Sequence, residues 1–348
     1  MKILIIGNLG YIGPLVVRHF RKSNPAAYIA GFDAGHFSHL NTSPERGLDT
    51  YLDNQYYGDV RSFPYSILGE FDSVIYLAAV SNDPMGEAFD NATHQINSYS
   101  AIKIAKAAKD YGVKSFVFAS SCSVYGAAEE GKRSESSALN PLTAYAVSKV
   151  SAEKSLLPLA SDNYIITCLR FATACGFSPR LRLDLVLNDF VATALSKGKI
   201  EILSDGTPWR PLIHVKDMAR AMFWASTRDK SKGGNFLIVN TGSDEWNYQI
   251  KDLAIGVKKV IKDVVIDINE NAQPDKRSYM VDFSKFKELA PDYYPTVDLQ
   301  KAVEDLFNGL KNSGFNDENF RDSDLIRFNV LRRHIKNGRM DNNLQWIS

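Results

Sequence analysis

The amino-acid sequence predicts an α/β protein built on a doubly wound parallel sheet of the Rossmann type, with a smaller α+β domain toward the C-terminus. Short apolar runs alternate with helix-like stretches through the first half of the chain, which is the rhythm of βαβ units. The first run leads directly into the glycine triplet Gly7, Gly10 and Gly13. The second run ends in an acidic residue, Asp33. After Gly176 the alternation loosens, which indicates the change to the smaller domain.

Five buried strands, and the helices that connect them, follow from the apolar pattern. The strands are predicted at residues 2–6, 28–32, 73–77, 115–119 and 164–169. Helices are predicted at 14–22 and at about 91–111, where Gly112 ends the second one. In the second half the pattern predicts a helix at 183–197, strands at 199–203 and 236–240, and a helix at 250–261. A charged amphipathic helix at 322–336 is expected to dock on the same chain or on a partner subunit.

Length, charge and cysteine usage exclude several classes of protein. The chain has 348 residues, enough for one large or two modest domains. Its formal net charge of +1 gives no basis for binding nucleic acid or an anionic membrane. The three cysteines form no CxxC pair, and His36 and His39 have no ligand-spaced carboxylate or cysteine neighbours. We therefore expect a reducing, cytoplasmic location and no metal site. No apolar stretch approaches the roughly 18 residues of a membrane span.

The glycine triplet and Asp33 together predict a dinucleotide site. A glycine turn between a strand and a helix directs backbone N–H groups and the positive end of the helix dipole at a pyrophosphate. Gly7 lets the chain turn, Gly10 removes the Cβ that would block the phosphates, and Gly13 lets the helix pack closely on the strand. Asp33 can accept hydrogen bonds from the adenosine ribose and would repel a 2′-phosphate. The expected cofactor is therefore NAD rather than NADP.

Hydroxyl groups at the end of the fourth predicted strand, and a tyrosine–lysine pair beyond it, indicate the chemistry. Residues 115–126 read SFVFASSCSVYG, and such hydroxyls face the crevice where parallel sheets bind ligands. Tyr145 and Lys149 are four residues apart, so on a helix they share a face. A lysine ammonium there would lower the pKa of the tyrosine. Tyr99 and Lys103 have the same spacing, but they precede the serine-rich strand end and belong to an ordinary amphipathic helix.

With these motifs the sequence resembles the extended short-chain dehydrogenase/reductase family, in its nucleotide-sugar epimerase/dehydratase branch. The resemblance covers about residues 1–310. Its motifs, specific in combination, are GNLGYIG at 7–13, Asp33, GDVR at 58–61, LAA at 77–79, Asn97, SSCSVYG at 120–126, YAVSK at 145–149, LRFATACG at 169–176 and GTPWRPLIHVKD at 206–217. The resemblance implies an NAD-dependent enzyme whose substrate is a nucleoside-diphosphate sugar.

The resemblance also implies which residues form the site. Ser121, Tyr145 and Lys149 take the catalytic places, with Tyr145 as the acid/base and Lys149 ordering Tyr145 and the nicotinamide ribose. The implied cofactor site comprises Gly7, Gly10, Tyr11, Ile12, Gly13, Asp33, Asp59, Val60, Leu77, Ala78, Ala79, Asn97, Tyr145 and Lys149. The implied nucleotide-sugar site comprises Ser121, Cys122, Ser123, Thr173, Asn188, Arg210 and Arg277. The two arginines match positions where the family binds the sugar nucleotide's diphosphate, which suits a guanidinium fork.

Departures from the family pattern favour one reaction over the others. In 4,6-dehydratases of the family an acidic pair follows the catalytic Ser/Thr, whereas here Cys122 and Ser123 follow it. In 3,5-epimerases a cysteine takes the place that Ser123 has here. The favoured reaction is therefore epimerisation at C4 through a transient keto-sugar, with a 4-ketoreductase or dehydrogenase as the alternative. UDP, CDP, GDP and dTDP sugars all stay open as substrates. A catalytically silent NAD-binding regulator is disfavoured, because the three catalytic places are filled.

The implied domains are discontinuous in sequence. Residues 1–172 with about 211–245 would form the NAD-binding domain, about 173–210 with 246–320 the nucleotide-sugar-binding domain, and 321–348 a helical tail. Members of the family commonly dimerise through a helix bundle, and the helices that follow residues 91 and 145 carry more apolar positions than the sheet can cover. We therefore expect a homodimer with a two-fold axis. The apolar positions are Ile96, Ile102, Ala105, Val150 and Leu157.

Overall fold

Parallel strands form the central sheet of the chain. The computed structural model describes residues 1–43, 48–127, 131–269, 271–272 and 278–347. The strands are β1 (Lys2–Ile6), β2 (Tyr28–Asp33), β3 (Asn54–Tyr57), β4 (Ser73–Tyr76), β5 (Ser115–Ser121), β6 (Lys132–Arg133), β7 (Ile165–Phe171), β8 (Thr173–Cys175), β9 (Lys199–Ile202), β10 (Trp209–His214), β11 (Phe236–Thr241), β12 (Asn247–Gln249), β13 (Val265–Ile268) and β14 (Met280–Val281). The central sheet has the order β3-β2-β1-β4-β5-β7-β11. The strand order reverses between β1 and β4, where sheets of this kind bind ligands at their carboxyl edge.

Helices cover both faces of this sheet, which confirms the predicted fold class. They are α1 (Gly13–Ser23), α2 (Asp83–Ala88), α3 (Asp90–His94), α4 (Ala101–Asp110), α5 (Ala144–Leu156), α6 (Val186–Lys197), α7 (Val215–Thr227), α8 (Ile250–Val260), α9 (Ser284–Leu289), α10 (Leu299–Asn312) and α11 (Arg327–Lys336). On β1, Ile3 and Ile5 pack with the core beneath α1 and α7, whereas Leu4 and Ile6 pack with the core beneath α4 and α5. A strand buried on both faces reads as a continuous apolar run.

The predicted strands and helices are present, although their ends are shifted. In addition, one strand was not predicted, and one predicted helix is divided in two. Strand β3 was not predicted, because its sequence NQYY has no apolar run and lies half-exposed at the edge of the sheet. The helix predicted at 91–111 is divided by a π-helical turn, Gln95–Ser100, between α3 and α4. The helices predicted at 183–197 and 322–336 begin later than expected, at Val186 and Arg327.

Small sheets and a helical layer make up the second part of the chain. Strand β8 pairs in parallel with β10, which pairs antiparallel with β12. Strands β9 and β13 form a separate parallel pair, and α6, α8 and α10 pack on one another. Because β8 directly follows β7 of the central sheet, this second layer begins beside the carboxyl edge where the catalytic residues are expected.

Two further expectations concern the outside of the molecule. Among the described residues, no helix is both long enough and apolar enough to span a membrane. The argument for a dimer changes, because Ile96, Ala105 and Val150 are buried in the hydrophobic cores of the chain itself. Of the positions named for the dimer, Leu157 is largely exposed, and Tyr99 is also exposed. The homodimer stays a prediction.

Candidate active site

A continuous cleft runs along the carboxyl edge of the central sheet. Its volume of about 1120 Å³ exceeds the roughly 300–1,000 Å³ of a typical single-ligand pocket, so there is space for two ligands. The sequence-predicted residues that line it are Gly7, Gly10, Tyr11, Ile12, Gly13, Asp33, Asp59, Val60, Leu77, Ala78, Ala79, Ser121, Ser123, Tyr145, Lys149, Thr173 and Arg210. Arg277 lies outside the described residues.

The glycine turn has the geometry that a dinucleotide diphosphate needs. Gly7 has φ +89°, and a Cβ there would lie 2.5 Å from the backbone nitrogen of Ala78. At Gly10 a Cβ would meet only the Gly7 carbonyl within 4 Å, so the turn leaves room on the cleft side. Helix α1 begins at Gly13 with no side-chain cap and no acidic residue in its first turn. Pro14 has no N–H, and Leu15 and Val16 donate theirs to the Ile12 carbonyl at 3.0 and 3.2 Å, so the helix offers an anion mainly the positive end of its dipole.

The acidic residue at the end of β2 is fixed by the same turn. One carboxylate oxygen of Asp33 accepts a hydrogen bond from the Leu9 backbone at 3.0 Å, and the other accepts one from Gly35 at 2.8 Å. Burial raises the pKa of Asp33, while these two bonds and the nearby charge of Arg180 oppose that rise. Each carboxylate oxygen keeps acceptor capacity for a ribose hydroxyl.

The three predicted catalytic residues meet where β5 ends. Thr143 caps the N-terminus of α5 by accepting a backbone N–H, which starts the helix so that Tyr145 and Lys149 face the cleft one turn apart. The Nζ atom of Lys149 lies 5.5 Å from the ring centre of Tyr145 and donates to the Ala119 carbonyl at 2.7 Å. Ser121, at the end of β5, lies close enough to Tyr145 to lower the pKa of the phenol. The phenol of Tyr145, the hydroxyl of Ser121 and the amine of Lys149 therefore lie together at one wall of the cleft.

Burial shifts the pKa values of Tyr145 and Lys149. Burial raises the pKa of Tyr145, while the neighbouring Ser121 hydroxyl and the charge of Arg182 lower it. Burial also lowers the pKa of Lys149 to about 7, against the opposing charge of Glu153. The sequence suggested that Lys149 would lower the pKa of Tyr145. In the structure the largest lowering effects come from Ser121 and Arg182 instead.

Asn97 supports the site from behind the cleft wall rather than from the wall itself. It is fully buried in the π-helical turn, where its amide oxygen accepts from Val80 N at 2.8 Å and its amide nitrogen donates to Val80 O at 3.0 Å. The same nitrogen donates to the Ser148 hydroxyl at 3.1 Å. Asn97 therefore ties the loop after β4 to the helix that carries Tyr145, and π-turns are frequent at functional sites.

Cys122 points away from the cleft, which corrects its expected place among the substrate contacts. Its thiol is buried and donates to the Arg170 carbonyl at 3.1 Å. The side chain of Arg170 forms a buried two-point ion pair with Glu153, at 3.0 and 2.7 Å. Glu153 also accepts from the Ser120 hydroxyl at 2.6 Å. Cys122 thus belongs to a packed polar layer beneath the catalytic residues.

The other end of the cleft carries the remaining substrate candidates. Thr173 and Arg210 line it, together with Tyr279, whose pKa burial raises. Asn188 is fully buried behind the wall, because its amide donates to the hydroxyl of Tyr11 at 2.9 Å and to a backbone carbonyl. Asn188 therefore contacts Tyr11 of the glycine turn and does not line the cleft, which corrects its expected place among the substrate contacts.

Sequence reasoning missed two residues that line the middle of the cleft. Arg182 is buried and pairs with Asp184 through Nε at 2.7 Å and Nη2 at 2.8 Å. Asn82, which has φ +106°, donates to the same carboxylate at 2.8 Å. A positive φ at a residue other than glycine marks a site whose surroundings hold it in place. The dense run SPRLRLD at 178–184 was the available signal for Arg182.

A model of the NAD dependent epimerase/dehydratase family matches residues 3–242, more than half of the chain. The chain belongs to this family. It is thus a member of an NAD-dependent enzyme family, and the glycine turn and Asp33 line one end of the cleft.

Relatives within the NAD dependent epimerase/dehydratase family carry out more than one reaction. The chain is 26% identical over 315 residues to the uncharacterized UDP-glucose epimerase YtcB of Bacillus subtilis (strain 168), covering 87% of this chain and 96% of the relative. It is also 26% identical over 309 residues to the dTDP-glucose 4,6-dehydratase of Streptomyces griseus, covering 86% and 91%. Among solved structures, the UDP-glucuronic acid 4-epimerase from Bacillus cereus in complex with UDP-glucuronic acid and NAD matches with a TM-score of 0.74 and 25% identity, covering 89% and 99%. Membership alone therefore does not choose the reaction.

The Asp33→Ala variant is expected to bind NAD about 10- to 100-fold more weakly and to narrow its preference over NADP. It loses a charged acceptor for the ribose hydroxyls, worth about 1.5–3 kcal/mol, and the repulsion of a 2′-phosphate. Titration of both cofactors measures the two effects, and Asp33→Asn, which keeps the shape without the charge, separates them. Tighter binding of NADP than NAD by the unmodified protein would contradict this role.

Proposed function

We propose that the protein is an NAD-dependent epimerase of a nucleoside-diphosphate sugar, acting at C4 through a transient keto-sugar. The observation that carries this proposal is the composition of the β5 end. Ser121, Tyr145 and Lys149 are all present at the cleft, whereas the two positions after Ser121 carry no carboxylate. Cys122 points into the core, and Ser123 faces the cleft with a hydroxyl.

The catalytic wall suits reversible proton transfer at a sugar hydroxyl. Tyr145 removes the hydroxyl proton during oxidation and returns it during reduction, and Ser121 hydrogen-bonds both Tyr145 and the sugar oxygen. Lys149 holds the ribose of the cofactor and, once protonated, stabilises the phenolate. Bound NAD supplies the two-electron acceptor for the first half-reaction and the donor for the second. A 4-epimerase needs no group beyond these, provided that the keto-sugar can turn over within the cleft.

Dehydration and 3,5-epimerisation both require a further acid or base next to the keto-sugar. Removal of the C5 proton needs a base, and loss of the C6 hydroxyl needs an acid. In relatives that dehydrate, the acidic pair after the catalytic Ser/Thr takes these places, and here Cys122 and Ser123 occupy them. Burial raises the pKa of the Cys122 thiol, so at neutral pH the thiol stays protonated and cannot accept a proton from the sugar. The chemistry therefore favours a reaction confined to one carbon.

The substrate end of the cleft supports a sugar nucleotide. Arg210 offers a guanidinium for the diphosphate, and Thr173 and Tyr279 offer hydroxyls nearby. We propose the same contact for Arg277, and we assign the sugar-binding domain to about 173–210 and 246–320. The solved 4-epimerase from Bacillus cereus binds UDP-glucuronic acid, which makes UDP sugars the first to be tried. We also propose that the protein forms a homodimer. Light scattering at micromolar concentration tests this assembly.

The experiment that tests the proposal is turnover without added cofactor. The purified protein is incubated with UDP-, CDP-, GDP- and dTDP-hexoses, and products are separated by chromatography while absorbance of NADH is recorded. An epimerase converts one sugar nucleotide partly into its 4-epimer, so that both are present at equilibrium. The NADH absorbance shows no net change. A 4-ketoreductase or dehydrogenase instead shows turnover only in proportion to NADH or NAD supplied, and that result would replace the proposed reaction.

A further inference from the structure

The C-terminal segment crosses from the substrate half of the cleft to its adenosine end. We call residues 320–347 the C-terminal strap. At its start, Arg321 forms a two-point ion pair with Asp189 of α6, both contacts being 2.9 Å. At its far end, the indole of Trp346 donates to the carbonyl of Ala34, directly after β2, at 2.6 Å. The strap therefore links the two halves of the chain across one side of the cleft.

The last turn of the strap packs on the wall where the adenine is expected. Arg61, which is paired with Asp59, donates to the carbonyl of Asn343 at 2.6 Å and to that of Leu344 at 3.2 Å. Leu344 lines the cleft, is 1% exposed and packs in the same core as Val60. Its φ of +60° is unfavourable for leucine, so contacts on both sides hold this turn in place.

Arg327, the first residue of α11, extends from the strap into the cleft. It lines the cleft although it is only 2% exposed. Its Nη2 donates to the carbonyl of Arg180, and its guanidinium lies 4.7 Å from the ring centre of Phe37. Among the described residues, its Nη1 has no hydrogen-bond partner. A buried guanidinium with an unsatisfied N–H is costly unless a ligand accepts from it.

The charges around Arg327 are those of an anion site. Arg182 is compensated by Asp184, but Arg327 has no carboxylate within ion-pair distance in the described part of the chain. Burial, with the guanidiniums of Arg182 and Arg180, lowers the pKa of Arg327 to about 9, against the opposing charge of Asp184. A phosphate oxygen placed here would accept the free N–H and offset the repulsion among the cations.

The position of Arg327 indicates which anion its side chain would bind. Its charge interacts with Tyr11 of the glycine turn, and it stacks on Phe37, four residues beyond the end of β2. These elements belong to the cofactor end, and the diphosphate contains the only phosphates of NAD. The sugar nucleotide's diphosphate is expected at the other end, where Arg210 lies near Tyr279 and Tyr145.

We propose that the C-terminal strap forms the second half of the NAD site. In this arrangement Arg327 donates to the NAD diphosphate, and Leu344 and Trp346 close the adenosine end. The strap therefore slows the release of NAD between turnovers. This inference rests on the NAD site alone, so it holds for an epimerase or a reductase alike.

The test is exchange of bound NAD in the NAD-saturated protein. Excess isotope-labelled NAD is added, and the unlabelled NAD that remains bound is measured by mass spectrometry over time. Arg327→Met keeps the packing on Phe37 and removes the donor, so we expect release to be about 10- to 100-fold faster, the range for one charge-assisted hydrogen bond. Arg327→Lys, which keeps the charge, should recover part of the loss. Arg332→Met, on the exposed side of the same helix, is the matched control and should exchange at the unmodified rate.

Competition with fragments separates a contact to the diphosphate from a structural role. ADP-ribose should compete about 10- to 100-fold less well for Arg327→Met, whereas adenosine, which has no phosphate, should compete within about twofold of the unmodified protein. Equal losses for both fragments would mean that the variant disturbs the fold and would overturn the assignment. Unchanged NAD release would also overturn it. A loss confined to UDP would place Arg327 on the sugar nucleotide instead, and a loss confined to NADP would place it at the 2′ position.

Discussion

The Tyr145→Phe variant is expected to fold normally and to turn over about 10²- to 10⁴-fold more slowly than the unmodified protein. The change keeps the buried ring and removes the group that carries the proton, and positioned acid–base groups contribute in this range. Ser121 and Lys149 remain in place, so NAD should still bind. Steady-state rates at saturating nucleotide sugar, with the NAD content measured in parallel, test this expectation.

Tyr99→Phe provides the matched control for Tyr145→Phe. Tyr99 has the same four-residue spacing to a lysine, but its side chain is 59% exposed and does not line the cleft. We expect its turnover to equal that of the unmodified protein. Loss of turnover in Tyr99→Phe, with retention in Tyr145→Phe, would show that the wrong tyrosine–lysine pair had been chosen.

The Glu153→Ala variant is expected to lose about 3–5 kcal/mol of unfolding free energy. Glu153 and Arg170 are 2% and 3% exposed, and removal of one partner leaves the other charge buried without compensation. The hydrogen bond from Ser120 is lost as well. Urea denaturation of the protein, at fixed NAD concentration because bound NAD adds its own stabilisation, measures the change.

Two further variants distinguish the buried charge from simple loss of volume. The double variant Glu153→Leu with Arg170→Met removes both charges and should recover most of the stability, since apolar residues can replace a buried ion pair. Asp162→Ala breaks an ion pair with Lys230 that is largely exposed, and it should leave the urea midpoint unchanged. A Glu153→Ala variant as stable as the unmodified protein would contradict the structural role of this pair.

The sequence could predict those features whose cause lies within a short stretch of the chain. The apolar runs of β1, β2, β4, β5 and β7 are continuous because both faces of these strands are buried, so the pattern identifies them. The glycine turn and the spacing of Tyr145 and Lys149 are equally local. Strand β3 was missed because an edge strand with the sequence NQYY depends on pairing with β2 rather than on its own apolarity.

Features that depend on distant contacts could not be predicted in the same way. Cys122 and Ser123 are neighbours in sequence, yet packing against β7 decides that the first points into the core and the second into the cleft. Asn188 bonds to Tyr11 from the other half of the chain. The role of Arg327 depends on Arg180 and Phe37, which no periodicity in the C-terminal helix reveals.

The most direct test of the proposed reaction is to follow it by NMR in deuterated water without added cofactor. An epimerase removes hydrogen from one carbon and returns the same hydrogen to it, so we expect a second sugar nucleotide that carries no carbon-bound deuterium. A dehydratase or a 3,5-epimerase removes a proton next to the keto group and exchanges it with solvent. Deuterium at the carbon next to the reacting one would therefore contradict the proposed 4-epimerase.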